Sequence, residues 1–219
     1  MAYILCIETS TTNCSVALVK EGHIVMSKED YDTKYSHAER LHHFINIVID
    51  ESGITFGDLN AIAVSKGPGS YTGLRIGVSA AKGLCYGLDI PLISVNTLHS
   101  LALQVESKKG FIVPMIDARR MEVYSAVFSS DYEQLRSTEA EILTETSYQN
   151  YLQEGEVYFI GNGVAKFAEI CNHQNAKFIS EKLPSANEMA TISYEKFLKN
   201  NFEDVSYFEP YYLKDFVTG

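Results

Sequence analysis

The chain has 219 residues, 46% hydrophobic and 21% charged, which is room for one large domain or two small lobes and is neither a fibrous nor a disordered composition. A formal net charge of −10 with no run of lysine or arginine argues against tight nucleic-acid binding by this chain alone, although a basic partner could hold RNA for it. Cys6, Cys14, Cys85 and Cys171 form no C-x-x-C pair, and neither a signal peptide nor an apolar run of ~18 residues is present, so small buried thiols and a cytoplasmic location without membrane contact are expected.

Residues 3–8 read as a buried strand, Thr11 to Asn13 as a turn, residues 15–20 as a second strand, and Glu21-Gly22 as a hairpin into residues 24–28. Ser36 with Glu39 three places on has the form of a capping box. Leu41, Phe44, Ile45 and Val48 then recur on one face, which predicts a helix over 37–52 ending at Gly53. Residues 59–65 are a β-branched and alanine run feeding Gly67-Pro68-Gly69-Ser70-Tyr71-Thr72-Gly73, and residues 74–88 look helical. A strand at 91–95 and helical spacing of Leu98, Leu101, Ala102 and Val105 complete a first half of βββαβαβα.

After Lys108-Lys109-Gly110 the pattern begins again. Laid side by side, residues 4–19 and 113–128 pair Ile7 with Ile116, Glu8 with Asp117 and Ala17 with Ala126, and residues 157–160 enter Gly161-Asn162-Gly163 much as the earlier strand enters Gly67-Pro68-Gly69. Any two hairpins of an α/β protein could show such likeness. The order of elements instead favours a duplication into two βββαβα-type lobes, 1–108 and 109–219, as in the actin-like ATPase (ASKHA, ribonuclease H-like) fold. That fold class says nothing of chemistry.

Actin-like folds hold phosphates on backbone N–H groups of turns and helix starts, so Thr9, Ser10, Gly67, Gly69 and Gly73 could cradle a nucleotide. The same residues could equally be structural, since the loop lacks G-x-x-x-x-G-K-[ST] and glycine serves close approach. The helix after the loop is odd: Gly73, Gly77, Ala80, Ala81, Gly83 and Gly87 are small, Ile76, Val78, Leu84, Cys85 and Leu88 are apolar, and Arg75, Ser79, Lys82 and Tyr86 form its one polar stripe. Each interior glycine costs about 1 kcal/mol against alanine, so something must approach closely. A helix apolar over most of its girth is covered on more than one side, by its own chain or by another. No G-x-S-x-G or H-E-x-x-H is present, and His37 falls on a different helix face from His42 and His43. Asp117 and Arg119 read as an ion pair within a turn.

Ile7-Glu8-Thr9-Ser10, the Ser36-His37-Ala38-Glu39-Arg40-Leu41 helix start, the Lys66 to Gly77 loop, Asp117-Ala118-Arg119-Arg120 and the terminal Pro210-Tyr211-Tyr212-Leu213 together resemble the TsaB family along nearly the whole chain. Lys214 stands where that family often has arginine. The resemblance implies a protein of the pathway that places threonylcarbamoyl on adenosine 37 of tRNA, related to the TsaD transferases. In TsaD-like proteins two metal-binding histidines four apart follow a Val-Asn. Here Val95-Asn96-Thr97-Leu98-His99-Ser100-Leu101 carries threonine and leucine at those places. The resemblance therefore implies no catalytic residue, no metal site and no cofactor of the chain's own, with ATP used by the complex. It further implies a heterodimer with a TsaD homologue, joined by the TsaE ATPase, with tRNA met only through the complex and a homodimer when TsaD is absent. The docking surface it implies is His37, Leu41, Phe44, Ile45 and Val48 on one helix, and Gly73, Ile76, Gly77, Ala80, Ala81 and Leu84 on the other. An M22-type peptidase or a small-molecule kinase of the actin-like superfamily are the alternatives.

Overall fold

The computed structural model describes residues 1–31, 37–107 and 109–214. Ser36, the expected helix cap, and Lys108 lie outside them. Along the chain run β1 (Tyr3–Glu8), β2 (Cys14–Lys20), β3 (His23–Asp30), α1 (His37–Glu51), a 3-10 turn (Phe56–Asp58), β4 (Ala61–Gly67), α2 (Tyr71–Leu88), β5 (Leu92–Asn96) and α3 (Thr97–Ala102). The second series is β6 (Phe111–Asp117), β7 (Glu122–Ser129), β8 (Gln134–Ile142), α4 (Gln149–Glu154), β9 (Val157–Gly161), α5 (Val164–Ala168), β10 (Ala176–Ser180) and α6 (Met189–Leu198).

Two five-stranded sheets result, ordered β3-β2-β1-β4-β5 and, read in the matching direction, β8-β7-β6-β9-β10. In each, the first three strands are an antiparallel meander, and the next two join parallel on the other side of the first strand. The duplication is thus in the topology. Ile7 pairs with Val16 and Glu8 with Ser15, while Ile116 pairs with Tyr124 and Asp117 with Val123. Ile7 with Ile116 and Glu8 with Asp117 are therefore equivalent. Ala17 corresponds to Ser125 rather than to Ala126, because the second hairpin is one residue shorter.

The chain divides into two compact units, one of Met1–Thr97 with Pro184–Tyr212 and the other of Leu98–Leu183 with the residues from Leu213. This corrects the expected boundary between 108 and 109. The reason lies in the pleat, which sends alternate side chains to opposite faces and leaves both faces of a buried strand apolar. On β1, Leu5 and Ile7 join the cluster formed with Leu41, Phe44 and Val48 of α1 and Val78, Ala81 and Cys85 of α2. Ile4 and Cys6 point the other way, against Ala186, Met189 and Ala190 at the start of α6. In the second unit Val113 and Met115 meet Leu152 and Phe167 on one face, and Ile112 and Ile116 meet Leu98, Leu101 and Ala102 on the other. The helix after the last strand of each series therefore covers the other series' sheet.

Candidate functional site

The glycine loop is brought to the end of β1, as the sequence suggested, but as a packed seam. Thr9 and Ser10 are fully buried. The Thr9 hydroxyl donates to the Gly73 carbonyl at 2.8 Å, and the Ser70 N–H donates to the Ser10 carbonyl at 2.6 Å. A β-carbon on Gly69, Gly73 or Gly77 would come under 3.0 Å from Ser10 or Thr9, so these glycines exist to let α2 touch β1's end. Gly67, at φ +109°, turns the chain where Tyr211 donates its N–H to the Lys66 carbonyl. Ser70 caps α2, its hydroxyl accepting the Gly73 N–H at 3.3 Å. The five residues read as a nucleotide cradle thus meet in space, with the Thr9 hydroxyl given to Gly73 and the Ser10, Gly67 and Gly73 N–H groups to Glu8, Thr97 and Ser70.

Two titratable groups frame this seam. Glu8 is fully buried, accepts the Ser10 N–H at 2.6 Å through Oε1, and leaves Oε2 without a partner among the described residues. Loss of water raises its pKa above the usual carboxylate value. His37 donates from Nε2 to the Thr11 carbonyl at 2.6 Å, and desolvation holds its pKa below the ordinary imidazole value.

The residues expected to dock a partner separate into two sets. Leu41, Phe44, Ile45 and Val48 of α1 and Gly73, Gly77 and Ala81 of α2 are buried, packed inside this unit or against Thr9. They are core, because the apolar face of each helix is spent on its own sheet. Ile76, Ala80 and Leu84 remain partly exposed, as does His37. Ile76, Ala80 and Leu84 belong to a groove of ≈ 660 Å³ between α1 and α2, together with Ala38, His42, Tyr71, Thr72, Arg75, Ser79 and Gly83. A β-carbon on Gly83 or Gly87 would meet nothing within 4 Å among the described residues. Beside the groove, the Arg75 guanidinium lies 5.1 Å from the centre of the Tyr71 ring, which packs at 4.9 Å on Tyr212. Selecting apolar positions missed this surface. The available signal was the stripe of small and polar residues at helical spacing, Thr72, Arg75, Ser79 and Gly83. Lys82 leaves that stripe, as its ammonium is tied to the Ser206 and Phe208 carbonyls at 3.2 and 3.0 Å.

Asp117 and Arg119 do share a turn, but not as an ion pair. The carboxylate accepts the Arg119 backbone N–H at 2.6 Å and pairs with the Lys166 ammonium of α5. Thr97 is fully buried and its hydroxyl accepts the Gly67 N–H at 3.1 Å, Leu101 is in the core, and His99 stacks on Phe128 at 5.3 Å. Among the described residues no three His, Cys, Asp or Glu side chains converge as metal ligands, and no helix is long and apolar enough to cross a membrane.

Paired mixed sheets of matching order, with covering helices exchanged between the two series, define an α/β protein of the actin-like ATPase fold. The ethanolamine utilization protein EutJ from Carboxydothermus hydrogenoformans shares this architecture at 12% identity, with TM-score 0.55 over 87% of this chain and 90% of that one. A Pseudomonas aeruginosa structure described as an uncharacterized protein with similarity to the peptidase YEAZ superposes with TM-score 0.85 at 26% identity, covering 98% of this chain and all of that one. The model of the TsaD family, tRNA N6-adenosine threonylcarbamoyltransferase, matches residues 31–218. The Escherichia coli tRNA threonylcarbamoyladenosine biosynthesis protein TsaB is 32% identical over 98% of this chain and 95% of its own length, and the Haemophilus influenzae TsaB is 27% identical over 98% and 94%. A Clostridium perfringens threonylcarbamoyltransferase is 37% identical over 44% of this chain and 33% of its own. The chain belongs to the TsaB family of tRNA threonylcarbamoyladenosine biosynthesis proteins, relatives of TsaD.

Proposed function

We propose that this protein is a non-catalytic subunit in the formation of threonylcarbamoyladenosine at position 37 of tRNA, pairing with a TsaD homologue through the outer face of α1 and α2 and activating it. The TsaE ATPase joins that pair, ATP is used by the assembly rather than held by this chain alone, and tRNA is met only within it. Without its partner, the same face closes on a second copy. The observation that carries the reading is Gly83 with its neighbours. Gly73 and Gly77 are explained by their contact with Thr9, whereas Gly83 and Gly87 cost helix stability and meet nothing within 4 Å. Small residues at a groove floor let another helix approach closely, and Ile76, Ala80 and Leu84 supply its apolar walls.

The test is co-purification with the TsaD homologue from the same genome, comparing the unmodified chain with Ser79→Arg and Gly83→Arg. Both positions are exposed, so each variant melts no lower than the unmodified chain and loses the partner. Ala81→Arg is unsuitable because Ala81 is fully buried and its change would unfold the lobe. Undiminished co-purification of both variants would remove the interface. Chelator-sensitive cleavage of unfolded substrates, or micromolar binding of ATP and magnesium by the isolated chain, would favour the peptidase or kinase reading instead.

A further inference from the structure

The β6–β7 hairpin ends in Arg119 and Arg120, both exposed and both in the left-handed region at φ +73° and +49°. The tip is closed by the Ala118 N–H to the Glu122 carbonyl at 3.0 Å and by the Glu122 N–H to the Arg119 carbonyl at 3.1 Å. Two successive non-glycine residues with positive φ are costly, and glycine, asparagine and aspartate are the residues that tolerate that conformation most readily. The turn itself therefore gives no reason for arginine. Something the side chains do must offset the strain.

The charges around the tip point the same way. Asp117 is paired with Lys166, Glu122 with Lys214, and Glu141, beside Val123 on β8, with Arg136 at 2.9 Å. Each of these carboxylates is thus paired with a cation, Lys166 and Lys214 from outside the hairpin and Arg136 from Glu141's own strand. Neither the Arg119 nor the Arg120 guanidinium has a hydrogen bond or ion pair among the described residues. A chain of net charge −10 thus presents, side by side at one hairpin tip, two guanidinium groups that no charge among the described residues compensates. A planar guanidinium fork fits the oxygens of a phosphodiester in two places at once.

We infer that the Arg119–Arg120 hairpin is a phosphate contact of this chain, gripping the tRNA backbone once the partner enzyme has bound it. This rests on the proposed function, and it explains how an acidic subunit contributes to RNA binding without binding RNA tightly by itself. Two contacts are too few for autonomous affinity at physiological salt, but they fix register on a backbone already held.

The experiment measures tRNA affinity of the reconstituted complex with the TsaD homologue as a function of salt, for the unmodified chain, Arg119→Glu with Arg120→Glu, and Arg119→Asn with Arg120→Gly. Both variants are expected to co-purify with the partner as before. Each arginine removed should weaken tRNA binding by about tenfold at moderate salt and flatten the log–log salt slope by about one. The Asn-Gly variant separates function from structure, since it relieves the strained turn: its melting temperature should rise while its RNA affinity falls. Unchanged affinity and slope in complexes that still assemble would overturn the proposal, leaving the functional reading intact. Loss of the protein partner by the charge-reversed variant would overturn it in favour of an acidic protein surface as the occupant. A complex whose tRNA affinity does not depend on this chain at all would overturn it too.

Discussion

Two glycines of one helix make opposite predictions when each is changed to alanine. Both substitutions gain up to about 1 kcal/mol of helix propensity. At Gly83 nothing opposes the gain, because the new methyl meets nothing within 4 Å. Gly83→Ala should therefore raise the melting temperature by about 2–4 °C, the shift expected of 1 kcal/mol in a protein of this size. At Gly73 the methyl would be under 3.0 Å from the Thr9 carbonyl oxygen, a backbone atom at the buried end of β1 that has no rotamer to change. Making room moves α2 away from β1 and weakens the Thr9 hydroxyl bond to Gly73, now 2.8 Å. Overpacking at about 1–3 kcal/mol and a compromised buried hydrogen bond at about 1–3 kcal/mol outweigh the propensity gain. The net loss is about 1–5 kcal/mol, a fall of about 2–20 °C at the same scale. Circular dichroism melts and urea titrations of both variants decide it. Gly73→Ala melting at or above the unmodified protein would refute the packed seam, and with it the structural role given to the loop glycines.

Glu8→Gln should abolish a pH dependence of stability. With the folded pKa raised by burial, the native state holds a proton that the unfolded state releases above the ordinary value of 4.5, so stability falls as pH climbs from there toward the raised value. Urea midpoints between pH 5 and 8 should lose that decline in the glutamine variant; an unchanged profile would mean Glu8 is ionised in the fold. His37 has the opposite sign: its lowered pKa makes the native state lose stability as pH drops through 6.5, a decline that His37→Gln should remove. In the second unit, the buried Tyr148 hydroxyl donates to Ser125 Oγ at 2.8 Å and Arg136 donates to that same serine at 2.8 Å. Tyr148→Phe should cost about 1–2 kcal/mol in urea unfolding, and a neutral result would place those polar groups in contact with water instead.

Much of the fold is local in origin and was legible without coordinates. The Tyr3–Glu8 and Phe111–Asp117 strands are apolar runs ending in an acid, and the helix over Leu41, Phe44, Ile45 and Val48 shows its period in the sequence. What the same period could not say is which of two apolar helices faces its own sheet and which faces outward. The family resemblance places Phe44 and Val48 on a docking surface, whereas the structure packs them in the lobe's core. The equivalent acids tell the same story. Glu8 and Asp117 occupy one position of the repeat, yet the first is buried with its pKa raised by loss of water and the second is exposed, bonded to a backbone N–H and a lysine.

The amino-acid sequence alone determined element order, the duplicated pattern and the family, because these follow from local periodicity and from motifs carried by contiguous residues. Tertiary structure alone decided which series each covering helix serves, that Gly73 and Gly77 pack on Thr9 while a β-carbon on Gly83 would meet none of the described residues, and that no charge among those residues compensates Arg119 and Arg120. Those are properties of atoms far apart in the chain. They depend on which face of each element the core consumes, and only the packed molecule fixes that.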